Sequence, residues 1–179
     1  MQEFRGFPKL SRLSRPVVVT EKIDGTNAQI FIADDGATIQ AGSRNRWVTV
    51  GNDNYGFAQW VETNKEELLK LGPGHHFGEW WGHGIQRNYA QTKKRFSLFN
   101  TAKWGVERPA CCDVVPVLAE LPTLDIYAIR KVLAGLLEKG SVAAPGFMQP
   151  EGIVIYHTHG NHLFKMTEDD EAKGAVVSG

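Results

Sequence analysis

The sequence predicts an α+β domain in which antiparallel sheets carry flanking helices. Two observations support this fold class: short runs of β-branched and aromatic residues recur between turn residues, and only two segments have helical periodicity. The chain has 179 residues, of which 42% are hydrophobic and 22% are charged. These values are ordinary for a globular protein, and the length predicts one domain with a buried core.

Strands and turns alternate in the first part of the chain. Residues 1–16 are interrupted by glycine and proline and are expected to form an irregular N-terminal arm. A β-branched run at 16–19 predicts a buried strand. Residues 28–33 and 37–41 predict a hairpin around the turn at 34–36, because Asp-Asp-Gly supplies the chemistry of a tight turn.

The middle of the chain predicts one helix and three strands. Apolar residues recur at helical spacing over residues 53–71, and Gly72 follows directly as a stop signal. Glycine-bracketed residues 78–82 and the short runs at 96–99 and 114–118 predict strands. Short strands outnumber helices, which supports the α+β assignment.

The clearest helix signal lies in residues 123–139. Thr123 is the expected N-cap, Asp125 lies in the first turn, and Gly140 ends the helix. The apolar stripe of this helix, which is expected to be core, consists of Ile126, Ile129, Leu133, Leu136 and Leu137.

The last elements form a hairpin and a tail. Residues 151–156 and 162–166 predict two strands joined by a turn at Gly160, and residues 168–179 predict a frayed tail. The chain is therefore expected to be a single domain over residues 1–179 with no appended C-terminal domain.

Composition argues against several classes of protein. Twenty basic and 20 acidic side chains give a net charge of zero and a pI near 7.0, which counts against binding nucleic acid through a global field. No apolar run approaches the roughly 20 residues that cross a bilayer, and no apolar signal core begins the chain. Adjacent Cys111 and Cys112 provide neither a disulfide framework nor zinc spacing. The expectation is a cytoplasmic protein without membrane contact.

Local basic clusters leave nucleic-acid contact open. They are Arg12 with Arg15, Arg44 with Arg46, and residues 93–95. Each cluster can contact phosphates, and each can equally be a solvated face.

The chain is organised around residues 20–27, with the sequence TEKIDGTN. Lys22 lies at the end of the first predicted strand, next to the turn residues Asp24 and Gly25. This pattern fits either a plain hairpin corner or a lysine nucleophile that faces a pocket. The remaining motifs decide between these alternatives.

Six short motifs follow one another in a fixed order. They are Lys22 in KIDGTN, Arg44 in GSRNRW, Glu79 in GEWWG, Phe99 in RFSLFN, Glu151 in EGIVIY and Lys165 in LFKM. In order and spacing, from about residue 15 to 167, they resemble the covalent nucleotidyltransferase superfamily of ATP-dependent ligases and mRNA capping enzymes. Asn27, with the flanking TEKIDGTN and GEWWGHGIQ, is similar to the RNA ligase 2 group, which seals nicks in duplex RNA.

The resemblance implies a nucleotidyltransferase (ATP-grasp-like ligase) domain that acts as an ATP-dependent RNA ligase. Such an enzyme uses ATP and Mg²⁺ to join 5′-phosphate and 3′-hydroxyl RNA ends through a lysyl-AMP intermediate and adenylated RNA. Lys22 is the implied nucleophile. The other implied nucleotide-binding residues are Glu21, Asn27, Arg44, Glu79, Phe99, Glu151 and Lys165.

The resemblance also assigns individual roles. Phe99 would stack on adenine, Glu79 would accept hydrogen bonds from ribose hydroxyls, and Arg44 would contact phosphate or the RNA terminus. Stacking does not select adenine over guanine, so backbone groups near Glu21 are expected to read the edge of the base.

Residue chemistry agrees with a lysine nucleophile. An amine attacks phosphorus only when neutral, whereas an ordinary lysine, with a pKa of about 10.4, is protonated at pH 7. A second cation such as Lys165, a metal ion or partial burial favours the neutral form. Asp24 and Glu151 are the expected metal ligands, with Glu151 acting directly or through water, because Mg²⁺ prefers oxygen ligands.

Three departures keep alternatives open. Thr167 stands where the family usually has a second lysine, and Asn100 replaces an acidic residue. About a dozen residues follow Thr167, so the chain is either a minimal ligase or a nucleotidyltransferase that needs a protein partner to supply an RNA-binding domain.

Two alternative functions stay open. One is a capping-type or DNA-ligase-type enzyme, and the other is a non-catalytic nucleotide- or RNA-binding module. His157, His159 and His162 suggest a zinc site, for which no fourth ligand is evident.

Overall fold

A computed structural model describes residues 3–169 and contains two sheets. The ten strands are β1 (Val17–Lys22), β2 (Thr26–Ile32), β3 (Ile39–Ser43), β4 (Trp47–Val48), β5 (Gly74–Gly82), β6 (Lys94–Leu98), β7 (Asp113–Val114), β8 (Val117–Leu121), β9 (Gly152–His157) and β10 (His162–Thr167). The α-helices are α1 (Phe57–Thr63), α2 (Lys65–Leu68) and α3 (Ile126–Lys139), and two 3₁₀ turns cover Leu69–Leu71 and Asn88–Ala90. The predicted α+β class is confirmed.

The first sheet has the strand order β10-β9-β1-β8, and every pair in it is antiparallel. Alternate residues of β1 and β9 are buried, and they pack against Ile129, Leu133 and Leu136 of α3. Ile126, which was predicted to be core, is 49% exposed at the start of the helix. Because side chains alternate along a strand, the opposite face of this sheet carries Lys22 at the end of β1. The predicted hairpin of residues 151–156 and 162–166 is confirmed as β9–β10.

The cap of α3 differs from the sequence prediction. Asp125, not Thr123, is the N-cap, and its carboxylate accepts hydrogen bonds from the backbone N–H groups of Tyr127 at 2.9 Å and Ala128 at 3.2 Å. Asp125 has an extended backbone conformation, which directs its side chain at the first helical turn. Gly140 ends the helix as predicted, with a φ of 87°.

The second sheet has the order β4-β3-β2-β5-β6-β7, antiparallel except for the short parallel pair β6–β7. One face of it packs against α1 and α2 in the largest core cluster of the described chain. Aromatic rings fill much of this cluster: Phe57, for example, lies 5.4 Å from Trp80 and 5.3 Å from Phe96 between ring centroids.

The prediction of a single helix over residues 53–71 is wrong. The backbone leaves helical geometry at Asn64, whose side-chain amide and backbone N–H both donate to the carbonyl oxygen of Trp60, at 2.8 and 3.0 Å. A side-chain amide that donates a hydrogen bond to the backbone carbonyl four residues earlier competes with the backbone hydrogen bonds of the helix and favours its interruption. The first helix also begins later than predicted, because Asp53 lies outside it and accepts from the N–H groups of Ala58 and Gln59.

The turn after β1 is not a hairpin corner. β1 belongs to the first sheet and β2 to the second, so Ile23–Gly25 crosses between them. A Cβ on Gly25 would lie 2.5 Å from the carbonyl oxygen of Trp80 and 2.7 Å from the Cβ of Trp81, so this crossing requires glycine. A small core cluster that includes Ile23, Trp81 and Tyr89 joins the sheets here.

Proline divides another predicted strand. Residues 114–118 form the end of β7 in the second sheet and the start of β8 in the first, with Pro116 between them. Pro116 has no N–H to donate, and its carbonyl oxygen accepts from the Glu21 N–H at 3.0 Å.

Within residues 3–169, no helix is long and apolar enough to span a membrane. The tail predicted at 168–179 lies outside the described residues from 170 onward.

Candidate active site

Lys22 and Glu151 form the centre of the candidate site. Lys22 ends β1 opposite Gly152, and Glu151 immediately precedes β9. The Lys22 Nζ lies 2.6 Å from both carboxylate oxygens of Glu151. The two side chains are 25% and 19% exposed, so the pair is accessible from solvent yet partly desolvated.

The backbone beside Lys22 is closely packed. Gly152 pairs with Lys22 on one side and with Thr167 on the other. A Cβ on Gly152 would collide with the carbonyl oxygen of Met166, so only glycine allows β10 to approach this closely. Thr167, which stands where the resemblance leads us to expect a second lysine, therefore lies in the same row as Lys22.

Lys165 shares a face with Lys22. It pairs with Val154, which in turn pairs with Thr20, two residues before Lys22 on the same strand. Because residues directly opposite each other in a sheet project to the same side, the two lysines project from the same face of the first sheet. That both lysines serve one site stays a prediction.

Glu79 approaches from the second sheet. It lies on β5 opposite Asn27, and its carboxylate accepts the Gly25 N–H at 3.0 Å. Burial raises the pKa of Glu79 to about 7; the Gly25 hydrogen bond and the Lys22 charge oppose the rise, and the charges of Glu151 and Asp24 add to it. Glu79 therefore lies within electrostatic reach of the Lys22–Glu151 pair.

Asp24 is held by Arg87, a residue that sequence reasoning missed. The Arg87 Nε donates to the Asp24 carboxylate at 3.0 Å, and its Nη1 donates to the carbonyl oxygen of Gln149 at 3.1 Å. Arg87 thus connects the loop after Lys22 to the segment that precedes Glu151.

Tyr89 makes the same connection from inside the protein. Its ring is fully buried, and its hydroxyl oxygen accepts the backbone N–H of Asp24 at 2.9 Å. Burial is the main cause that raises the pKa of the Tyr89 hydroxyl, and the backbone N–H groups of Asp24 and Glu151 oppose the rise. No pattern marks a lone tyrosine as a site residue.

The backbone around Tyr89 is strained. Gln86, Asn88, Tyr89 and Ala90 all have φ between 44° and 61°, a region that non-glycine residues rarely adopt. Such strain is retained where surrounding contacts fix the backbone, and here it brings Arg87 and Tyr89 to the loop after Lys22.

The Glu21 side chain points away from Lys22. It is 1% exposed and accepts from the Ser141 hydroxyl at 2.5 Å and from the N–H groups of Val142 and Ala143 at 2.9 and 2.8 Å. The carboxylate therefore fixes the loop that follows α3. The contact to a base through the backbone near Glu21 stays a prediction.

Phe99 and Arg44 lie at the outer part of the site. Phe99 follows β6 directly, is 39% exposed, and donates its N–H to the carbonyl oxygen of Phe77 at 2.9 Å. Arg44 is exposed in the turn between β3 and β4, next to Ser43, which pairs with Ala28. The structure thus provides an accessible ring and a cation on the same sheet as Glu79.

The predicted Mg²⁺ fits part of this site. Residues 3–169 contain no group of three or more His, Cys, Asp or Glu side chains that could hold a metal. Mg²⁺ usually keeps several waters and needs one or two carboxylates together with substrate phosphates. Both oxygens of Glu151 contact the Lys22 Nζ, and one oxygen of Asp24 accepts from Arg87, so each carboxylate would hold the metal ion beside a cation that it already contacts.

His157, at the end of β9, has a structural use. The Nδ1 of His157 accepts the Gly160 N–H at 2.8 Å, so its Nε2 carries the proton and donates to the carbonyl oxygen of Leu13 at 3.0 Å. This ring holds the N-terminal arm beside the β9–β10 hairpin.

Lys22 is paired with Glu151 where the two sheets meet, and the partly buried Glu79 and the accessible Phe99 lie on or directly after strands of the second sheet. The motif order predicted this set of side chains for a nucleotidyltransferase-type domain. The RNA ligase family matches the chain over residues 15–167. The chain therefore belongs to the RNA ligase family, as the motif order predicted.

Solved structures similar to this chain are those of an RNA ligase from Naegleria gruberi. A mutant with AMP and Mn is 21% identical, has a TM-score of 0.65, and aligns over 90% of this chain and 52% of its own. A second mutant, with ATP and Mn, is 20% identical with a TM-score of 0.64 and the same coverage. This chain therefore spans about half the length of these neighbours. Among curated proteins, no sequence matches it.

Proposed function

We propose that this protein is an ATP-dependent RNA ligase whose nucleophile is Lys22. The observation that carries the proposal is the contact between Lys22 and Glu151: the Lys22 Nζ lies 2.6 Å from both carboxylate oxygens of Glu151. Lys22 lies at the end of β1, where family membership leads us to expect the nucleophile. The neighbours solved with ATP or AMP and Mn support a nucleotide and a divalent metal as the ligands.

The first step is adenylation of Lys22. The Nζ must lose a proton before it attacks the α-phosphorus of ATP, and Glu151 provides a proton acceptor in hydrogen-bond contact. A nitrogen–phosphorus bond forms, the bond from the α-phosphorus to the bridging oxygen breaks, and pyrophosphate leaves. Mg²⁺ held by Glu151 would neutralise charge on the phosphates.

The nucleotide is held from both sheets. Phe99 stacks on the adenine face, and Glu79 with Asn27 contacts the sugar. Glu79 accepts from a ribose hydroxyl most strongly when ionised, which its pKa of about 7 allows near neutral pH and above. Lys165 and Arg44 contribute positive charge to the phosphates.

The next two steps consume the adenylate. An oxygen of the RNA 5′-phosphate attacks the phosphorus of lysyl-AMP, and the nitrogen–phosphorus bond breaks. The nitrogen takes back a proton from Glu151, so Lys22 leaves as a neutral amine and adenylated RNA forms. The 3′-hydroxyl of the second end then attacks the 5′-phosphorus, loses its proton and displaces AMP. Ends held together in a nicked duplex satisfy the geometry of this step, because positioning of two reactants supplies much of the barrier reduction.

Transfer of label from ATP tests this proposal. The protein is incubated with α-labelled ATP and a divalent metal, then separated on a denaturing gel. We expect a labelled band for the wild type, none for Lys22→Ala, and a normal band for Lys139→Ala, which removes an exposed lysine at the end of α3. Label that persists in Lys22→Ala, or maps to another lysine, would contradict the assignment.

A parallel incubation with α-labelled GTP addresses the capping-type alternative. Phe99 can stack on either purine, so selectivity depends on polar contacts at the base edge. We expect labelling by ATP to exceed labelling by GTP. Equal labelling would favour a capping-type enzyme, and no labelling by either nucleotide would favour a non-catalytic module.

A further inference from the structure

Four aromatic side chains form a continuous surface on the second sheet, here called the aromatic face: Phe31, Trp47, His75 and Phe77. Phe31 on β2 pairs with His75 on β5, and their ring centroids are 4.7 Å apart. Trp47 on β4 lies 6.1 Å from Phe31, and Phe77 lies 6.0 Å from His75.

The aromatic face is open to solvent. Trp47 is 48% exposed and Phe77 is 49% exposed, whereas Ile30 and Ile32, on the opposite side of the same sheet, are fully buried. Large exposed apolar patches are uncommon on globular proteins and mark interaction sites. The packing of the sheet against α1 and α2 does not require these rings, so their position needs another explanation.

The aromatic face is continuous with the candidate nucleotide site. Phe77 is two residues from Glu79 on β5, so their side chains project from the same side of the sheet. The carbonyl oxygen of Phe77 accepts the N–H of Phe99, the residue expected to stack on adenine. Aromatic rings therefore extend from the nucleotide site along the sheet.

Ring geometry and charge favour a nucleic acid as the occupant. The planes of His75 and Phe77 differ by 10°, and those of Trp47 and His75 by 26°, so these rings offer nearly parallel planes. Arg44 and Arg46 lie in the turn that precedes Trp47. Rings beside a cationic segment are the combination that binds single-stranded nucleic acid through stacking and phosphate contact.

We propose that the aromatic face stacks the unpaired bases of an RNA strand whose end reacts at Lys22. This inference rests on the proposed function and narrows its substrate class from any pair of adjoining ends to ends, at a nick or on a single strand, that carry an unpaired segment. The bases of a fully paired duplex are already stacked on one another, so they cannot present their faces to these rings.

Tryptophan fluorescence gives a direct test. Trp47 is about half exposed, Trp80, Trp81 and Trp104 are buried, and Trp60 is partly buried. We titrate the full chain with a 5′-phosphorylated single-stranded RNA of about six nucleotides, within the usual range of such sites. We expect the long-wavelength part of the emission, which comes from the exposed indole, to be quenched, and Trp47→Phe to remove the quenching.

Binding measurements by anisotropy complete the test. We expect Phe77→Ala to weaken binding of the single-stranded RNA about tenfold. This value lies in the lower part of the range expected for the loss of one stacking ring. Tyr127→Ala, which removes an exposed ring on α3, should bind normally. A blunt RNA hairpin of equal length should bind more weakly than the single strand.

Several outcomes would overturn the inference. Equal binding of hairpin and single strand, or unchanged quenching in Trp47→Phe, would show that bases do not stack here. A dimer in sedimentation that Phe77→Ala dissociates would identify a second copy of the chain as the occupant. Label transfer from ATP to the wild type, measured in parallel, tests the proposed function separately: a protein that labels normally but shows no RNA-dependent quenching contradicts only the aromatic face.

Discussion

The two sheets bury one face each in the same way, but their other faces differ in chemistry. The first sheet presents Lys22 and Lys165, with Glu151 immediately before the neighbouring strand β9. The second presents the rings of Phe77 and Trp47, and its one carboxylate near Lys22, Glu79, has its charge suppressed by burial. The open face of the first sheet therefore carries two lysines, and that of the second carries exposed aromatic rings.

The position of the strands accounts for this difference. β1 is hydrogen-bonded on both sides, by β9 and β8, and Gly152 lets β10 approach as well. A nucleophile must be held within a fraction of an ångström, and a central strand provides that precision. The rings occupy β4, at an edge, and the open face of β5, where a long ligand can reach them.

The largest effect is expected from Glu151→Gln, which removes charge from the first sheet and preserves shape. We expect the rate of lysyl-AMP formation to fall about 10²–10⁴-fold, because the partner of the Lys22 amine can no longer take its proton. The measurement is a single-turnover labelling time course. Glu138→Gln, on the exposed side of α3, is the control. A fall of less than threefold would show that the ion pair has no role in the chemistry.

The next largest effect is expected from Glu79→Gln, on the pH dependence of stability. The pKa of Glu79 is about 7 when folded and 4.5 as its ordinary value, so the folded state binds the extra proton between these pH values. The wild type therefore loses stability as pH rises from 4.5 to 7, by about 3 kcal/mol. Glu79→Gln removes this loss, because the amide can still accept the Gly25 N–H without ionising.

Urea unfolding at pH 4 and pH 8 measures this difference. The stability of Glu79→Gln relative to the wild type should increase between the two pH values. Glu120→Gln, on an exposed position of β8, corrects for the general effect of losing one negative charge. An identical pH dependence in Glu79→Gln and the wild type would contradict the assigned burial effect.

Tyr89→Phe probes the connection between the sheets. Without the hydroxyl, the N–H of Asp24 loses its acceptor in a buried setting, which costs about 1–3 kcal/mol of unfolding free energy. We also expect slower adenylation with an unchanged KM for ATP, because the loop beside Lys22 loses its orientation. Tyr127→Phe, an exposed ring, should change neither quantity. A raised KM with unchanged rate would argue for a direct contact with ATP instead.

Asp125→Ala should have the smallest effect, since it touches only the helix behind the first sheet. Loss of the N-cap should lower stability by about 1 kcal/mol and leave label transfer at 25 °C unchanged. The matched variant is Thr123→Ala, at the N-cap that the sequence pattern suggested. If thermal unfolding shows that Thr123→Ala costs more, the cap of α3 is Thr123 after all.

The sequence by itself determined the local features. Periodicity and turn residues predicted the hairpin β9–β10 and the end of α3 at Gly140, because these depend on neighbours within a few residues. The order of six short motifs identified the family and brought out Lys22, Glu79 and Glu151, which the fold places near one another. Such residues can be found because each lies in a recognisable local pattern.

Only the tertiary structure decided how distant segments meet. The hydrogen bond from Asp24 to Tyr89 spans 65 residues, and the Lys22–Glu151 pair spans 129. The local sequence does not indicate that β1 and β2 belong to different sheets. It also does not indicate that the Glu21 carboxylate holds the loop after α3. Hairpin chemistry after Lys22 was overridden because burying Ile23 against Trp81 and Tyr89 joins the sheets, and burial depends on the whole chain rather than on its neighbours.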